Sequence, residues 1–170
     1  MIVILRNSED SCVSLYHHSQ IAENYTGTFE EFCRLFLAGR VSFGPFWKQV
    51  LSYWEQRKRE NLLFIKYKEM KDDLPAMIKK VATFLGKTFT EEEIQKLSEH
   101  LNFESMKKNP AVNHEEIFKI LRKSGYTTSN HSFLRSGKVG AFKSKLSPDM
   151  IKEFQTWSEE NLVGTGLSVE

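Results

Sequence analysis

The run Ile2-Val3-Ile4-Leu5 constrains this chain more than any other stretch. Unbroken β-branched and aliphatic side chains leave no polar face, so the run reads as a strand buried on both faces, hence a central parallel strand. Leu62-Leu63-Phe64-Ile65 repeats the pattern and reads as a second buried strand. What lies between and after them has helical spacing, so the class is α/β: a parallel sheet flanked by helices. Two strands against roughly six helices make a poor sheet, with open edges and faces that demand cover. Met1 leads straight into the first strand. The expectation is therefore that sheet strands belong ahead of it and that the fold is incomplete at the N-terminus, the alternative being a further strand within the chain that the pattern does not reveal. Residues 1–170 then form the C-terminal portion of a single domain.

The helices announce themselves by their ends. Glu9 and Asp10 suit a first turn, and that helix is expected to run to about Asn24. Thr28 with Glu31 forms a capping box before Phe32, Leu35 and Phe36, and Gly39 is a stop signal. Gly44-Pro45 opens the next helix, with Val50, Leu51 and Trp54 as its apolar stripe. Asp72 or Asp73 begins another, with Met77, Ile78, Val81 and Leu85 inward and Gly86 at its end. Thr90 with Glu93 is a second capping box, and Ser147-Pro148 caps a last helix. From Asn109 to about Gly125 the pattern is irregular, and His131 to Lys145 reads as a basic, glycine-containing loop.

Bulk composition narrows the partners. A net charge of +2 is too small to argue for nucleic acid or an anionic membrane surface. The apolar runs are too short to span a bilayer. Cys12 and Cys33 are the two cysteines. They offer neither a disulfide framework nor a metal-ligand spacing, which fits a reduced, cytoplasmic compartment. The five histidines fall in no spacing that demands a metal or a catalytic triad. No GxxxxGK[ST] and no GxGxxG is present.

In open α/β sheets ligands bind beyond the carboxyl ends of the strands. Arg6 follows the first strand and Tyr67 the second, while Ser14 lies in the second turn of the helix after Arg6. A guanidinium fork, a hydroxyl and helix N-terminal amides together suit a phosphate dianion. Read alone, Arg6 suits an ion pair with Asp10 at least as well. The loop Phe133-Leu134-Arg135-Ser136-Gly137-Lys138-Val139-Gly140 is a second candidate. Its glycines let backbone amides approach an anion, although a solvated basic loop would look the same.

Five blocks in order carry a resemblance. Arg6-Asn7-Ser8-Glu9-Asp10 through Ser14 resembles an R-N-x-x-D-x-x-x-S run, and Phe43-Gly44-Pro45-Phe46-Trp47 resembles the start of the next helix. Tyr67 to Asp73 is similar to Y-E-D-M-K-x-x-P. Phe103-Glu104-Ser105-Met106-Lys107-Lys108-Asn109-Pro110 matches F-x-x-M-K-x-N-P, and Arg135 to Gly140 resembles R-K-G-x-x-G. These are blocks of the cytosolic sulfotransferases, and the chain is similar to the C-terminal part of that family.

The resemblance implies the sulfotransferase, P-loop-like fold and transfer of a sulfuryl group from 3′-phosphoadenosine 5′-phosphosulfate (PAPS) to a hydroxyl or amine of a small acceptor. No metal is implied. Arg6 and Ser14 would grip the 3′-phosphate. Arg135, Ser136 and Gly137 would close over the same phosphate, with Phe133 and Leu134 beside them among the nucleotide contacts. Tyr67, Leu101, Asn102, Phe103 and Met106 would line the adenine side, with Phe103 stacking. The family's phosphosulfate loop and its base histidine have no counterpart here, so no residue of this chain inherits the base role. A non-catalytic isoform that binds a 3′-phosphorylated nucleotide or a full-length partner is the alternative. Ser136 stands where lysine is common, and Ala141-Phe142 where Asp-Trp is common. The family's dimer motif would start at Lys143, and Ser147-Pro148 and Lys152 fit it poorly.

Overall fold

Strands β1 (Ile2–Leu5) and β2 (Leu63–Lys66) pair in parallel, Ile2 opposite Leu63 and Leu5 opposite Lys66, in a computed structural model that describes residues 1–168. The described residues divide into two compact units. The first comprises Met1–His17, Thr26–Tyr67 and the chain from Val139 onward; the second comprises His18–Tyr25 and Lys68–Lys138.

The first unit holds the sheet. Around it stand the start of α1 (Ser8–Ala22), then α2 (Phe29–Leu37), α3 (Phe46–Trp54), a 3₁₀ turn at Ala141–Ser144 and a long C-terminal helix at Pro148–Leu162. This parallel sheet with flanking helices is the expected α/β class. Leu5, Trp47 and Leu167 form a buried core against which Val50, Leu51, Trp54, Trp157 and Leu162 pack. Phe36 joins the rings of Phe46, Phe154 and Trp157 at centroid distances of 5.5, 5.8 and 6.0 Å. The Trp47 indole N–H donates to Ser158 Oγ at 3.3 Å, so the buried ring leaves no orphaned donor.

Burial of β1 on both faces is not what the structure shows. Leu5 is buried against Trp47, but Ile2 and Ile4, on the opposite pleat, are 38% and 54% exposed. The two-stranded sheet buries Leu5 on one face and leaves Ile2 and Ile4 largely open on the other. The second strand is also displaced by one residue, ending at Lys66 rather than Ile65.

The second unit is helical among its described residues. It contains α4 (Tyr67–Asp72, from Lys68), α5 (Leu74–Phe84), α6 (Glu91–Leu101), α7 (Phe103–Lys108), α8 (Pro110–Asn113) and α9 (Glu115–Lys123); the C-terminal helix of the first unit is α10. Both capping boxes form as read: Thr28 Oγ1 accepts from the Glu31 amide and Thr90 Oγ1 from the Glu93 amide, each at 3.2 Å. Two expectations need correction. Helix α1 ends at Ala22, and Asn24 turns the chain with φ 53°. The helix expected from Asp72 or Asp73 does start there: Asp73 caps α5, its carboxylate accepting from the Ala76 amide at 2.9 Å, and the short α4 precedes it. Pro75 has no N–H to continue the ladder, so α5 starts afresh. The segment from Asn109 to about Gly125 is not irregular. It holds two short helices, α8 and α9, started by an Asn109 cap and by His114 in the left-handed region at φ 56°.

Candidate functional site

The parallel register places Arg6 and Tyr67 side by side, because each follows immediately on the last residue of neighbouring strands. The Arg6 guanidinium carbon lies 4.6 Å from the centroid of the Tyr67 ring, a cation–π arrangement. One of its terminal nitrogens is 3.8 Å from Asp10 Oδ2, one helical turn further along. The ion pair that the sequence allowed for Arg6 is therefore present. Asp10 is fully buried while Arg6 keeps 22% of its side chain exposed at the strand ends.

Asp10 has a second task that sequence reading missed. Its carboxylate accepts the Gly140 amide at 2.6 Å and the Phe142 amide at 3.1 Å. Gly140, at φ 76°, is the last glycine of the R-x-G-x-x-G-like block. The aspartate of one block thus fixes the backbone of another, 130 residues away. The only sequence signal for this was its place within the R-N-x-x-D run, where it read as an ordinary first-turn acid. Ser14 lies one turn beyond Asp10 on α1 and is exposed.

The second unit holds the remaining candidates. Phe103 opens α7, and Gly137 sits against its ring. A Cβ at Gly137 would fall 2.4 Å from Phe103 Cδ2, and φ there is +59°, so the position demands glycine on both counts. Lys71 Nζ stands 5.9 Å from the Phe103 centroid, a contact the sequence did not signal. Asn102 spends its side-chain oxygen on the Ser105 amide at 2.9 Å, capping α7. Leu101 ends α6 and is 38% exposed, and Met106 is half-buried on α7.

Leu134, Arg135 and Ser136 are half-buried in the loop leading to Gly137. Phe133 anchors that loop by its ring, 4.7 Å from His114, 5.9 Å from Phe118 and 6.2 Å from His18. Arg122 braces the same loop through donations to the carbonyls of Ser129 and His131, both at 3.0 Å. Among the described residues no group of three or more His, Cys, Asp or Glu stands together as a metal site, and no helix is long and apolar enough to cross a membrane.

The sulfotransferase-domain family profile matches residues 1–166. The chain belongs to the sulfotransferase family. It is similar to the luciferin sulfotransferase of Photinus pyralis, at 37% identity over 170 residues, covering 100% of this chain and 46% of that protein. Sulfotransferase 1B1 of Mus musculus is 35% identical over 169 residues, covering 98% of this chain and 55% of that protein. This sulfotransferase chain thus spans about half the length of the curated relatives it matches. Among solved structures, retinol dehydratase in complex with androsterone and inactive cofactor PAP superimposes with a TM-score of 0.91 at 36% identity, over 99% of this chain and 48% of that one. Mouse sulfotransferase SULT7A1 complexed with PAP gives 0.80 at 30% identity, over 96% and 58%.

Proposed function

We propose that this chain supplies nucleotide-recognition groups of a PAPS-dependent sulfotransferase that transfers a sulfuryl group to a hydroxyl or amine of a small acceptor. The observation that carries the reading is the Arg6 guanidinium braced between the Tyr67 ring and buried Asp10 at the carboxyl ends of two parallel strands. A planar fork held in one orientation is suited to two oxygens of a phosphate dianion, and the Ser14 hydroxyl adds a donor on the helix that follows. The relatives solved with PAP support a ligand of this class. PAP is PAPS without its sulfuryl group and retains the 3′-phosphate.

On this reading Arg6 and Ser14 bind the 3′-phosphate, and Arg135, Ser136 and Gly137 serve it from their loop, together with Phe133 and Leu134. Phe103 offers a ring face to adenine, and Tyr67, Leu101, Asn102 and Met106 border the base. PAPS supplies the activated sulfuryl group. The residues of this chain bind and orient the nucleotide, which keeps the transferring group aligned for attack by the acceptor. None of them is assigned the proton transfer from the acceptor.

Calorimetric titration of the full chain with adenosine 3′,5′-bisphosphate tests this. Saturable binding is expected, weakened by about 1.5–3 kcal/mol in Arg6→Ala and in Arg135→Ala, the scale of a charged hydrogen bond. A folded chain whose affinity is unchanged from the wild type in both variants would overturn the 3′-phosphate assignment.

A further inference from the structure

Cys12 on α1 and Cys33 on α2 take no part in the nucleotide reading, yet they face one another. Their sulfurs are 3.9 Å apart with Cys12 donating to Cys33, and the residues are 0% and 1% exposed. They are also the chain's two cysteines, so an internal disulfide has one possible pairing. We propose that Cys12 and Cys33 form an oxidisable dithiol that hydroperoxides convert to a disulfide linking α1 to α2.

The chemistry follows from the asymmetry of the pair. Donation from Cys12 holds the Cys33 thiol below its ordinary range, whereas that hydrogen bond and burial push Cys12 up. Cys33 is therefore the sulfur that gives up its proton more readily and attacks, and Cys12 the proton-bearing partner. The Cys33 sulfur attacks one oxygen of hydrogen peroxide; the O–O bond breaks, and hydroxide leaves with the electron pair. Cys33 is now a sulfenic acid. The Cys12 sulfur attacks the Cys33 sulfur, the S–O bond breaks, and the hydroxyl departs as water with the Cys12 proton. The departing hydroxide takes up the proton that Cys33 gave up, so two thiols and one peroxide yield one disulfide and two waters. A disulfide needs the sulfurs about 2.0 Å apart, so they must close by about 1.9 Å. Burial makes the site selective for a small oxidant, because a glutathione-sized disulfide cannot reach either sulfur in line. The bond would span 21 residues and tie α1, two positions before Ser14, to the helix that follows it.

Intact-mass measurement of the full folded chain after hydrogen peroxide decides the matter. A loss of about 2 Da, reversed by dithiothreitol, is expected. Cleavage after Glu23, which lies between the cysteines, should then leave the two fragments joined until reduction. Glutathione disulfide should leave the native mass unchanged. In Cys12→Ala, Cys33 should be trapped as a dimedone adduct of its sulfenic acid. The proposal is overturned if peroxide doses that oxidise the urea-unfolded chain leave the native mass unchanged. Oxygen addition without the 2 Da loss, or covalent dimers instead of the internal link, would overturn it too. The wild-type measurement is decisive whether or not the variant folds.

Discussion

The Arg6 socket in one unit and the Phe103 ledge in the other hold their key groups by opposite means. Arg6 is fixed by attraction: a ring face at 4.6 Å and a buried carboxylate at 3.8 Å. Phe103 is fixed by an omission, the side chain that Gly137 lacks. An attractive brace weakens gradually as its partners are trimmed. A steric one fails as soon as a methyl group is added. Equally necessary positions thus tolerate substitution very differently, and neither tolerance is visible in exposure alone.

Asp10→Ala should break the first brace with the largest effect. It removes the acceptor for the Gly140 and Phe142 amides and leaves Arg6 without its buried counter-charge. A loss of about 3–5 kcal/mol in urea unfolding is expected, with Asp10→Asn costing less because one acceptor oxygen remains. Equal losses from the two substitutions would mean that the negative charge carries the brace and that the acceptor oxygen asparagine retains contributes nothing to it. Gly137→Ala should break the second, by about 2–4 kcal/mol, combining overpacking against Phe103 with a strained backbone. Gly125→Ala sharpens the contrast. Its φ is +73°, but nothing lies within 4 Å of the added Cβ, so only the backbone cost of about 1 kcal/mol should appear. If both alanines cost the same, steric contact with Phe103 is not what fixes the ledge.

How much of this was legible depends on the range of the code. The capping boxes at Thr28 and Thr90 are read correctly because cap and partner lie three residues apart and use one another's backbone. Arg6 and Tyr67 were found because strand ends carry a topological rule. Asp10 as a loop anchor was not, because its partners lie 130 and 132 residues away. The Gly137–Phe103 contact failed for the same reason, although each residue was flagged by itself. Helices α7 to α9 were missed because Asn102, Asn109 and His114 restart the chain before a full period of apolar residues can accumulate. Exposure of Ile2 and Ile4 was misjudged because a sequence shows that a side chain is apolar, not whether anything covers it.

The smallest expected effects come from the capping boxes, one in each unit. Thr28→Ala and Thr90→Ala should each cost about 1 kcal/mol, measured by urea unfolding. Hydrogen bonds from Thr28 and Thr90 hold the Glu31 and Glu93 carboxyls below their ordinary range. Because the folded-state value is depressed, the stabilisation is complete above the unfolded carboxylate pKa and fades as pH falls through the folded value. Helix content followed down an acid titration should therefore fall earlier in the wild type's carboxylate range than the same titration predicts for Glu31→Gln and Glu93→Gln, whose caps do not titrate.

The parallel pairing of β1 with β2 has a consequence for how such a chain can diversify. Arg6 and Tyr67 are brought together by strand register, Leu5 opposite Lys66, and not by the helices that connect the strands. Insertions and deletions within that connection leave the pair's spacing untouched as long as the register survives. The helical excursion is thus free to change length and lining while the residues at the strand ends stay in step, so that lineages can vary what surrounds the pair without rebuilding it.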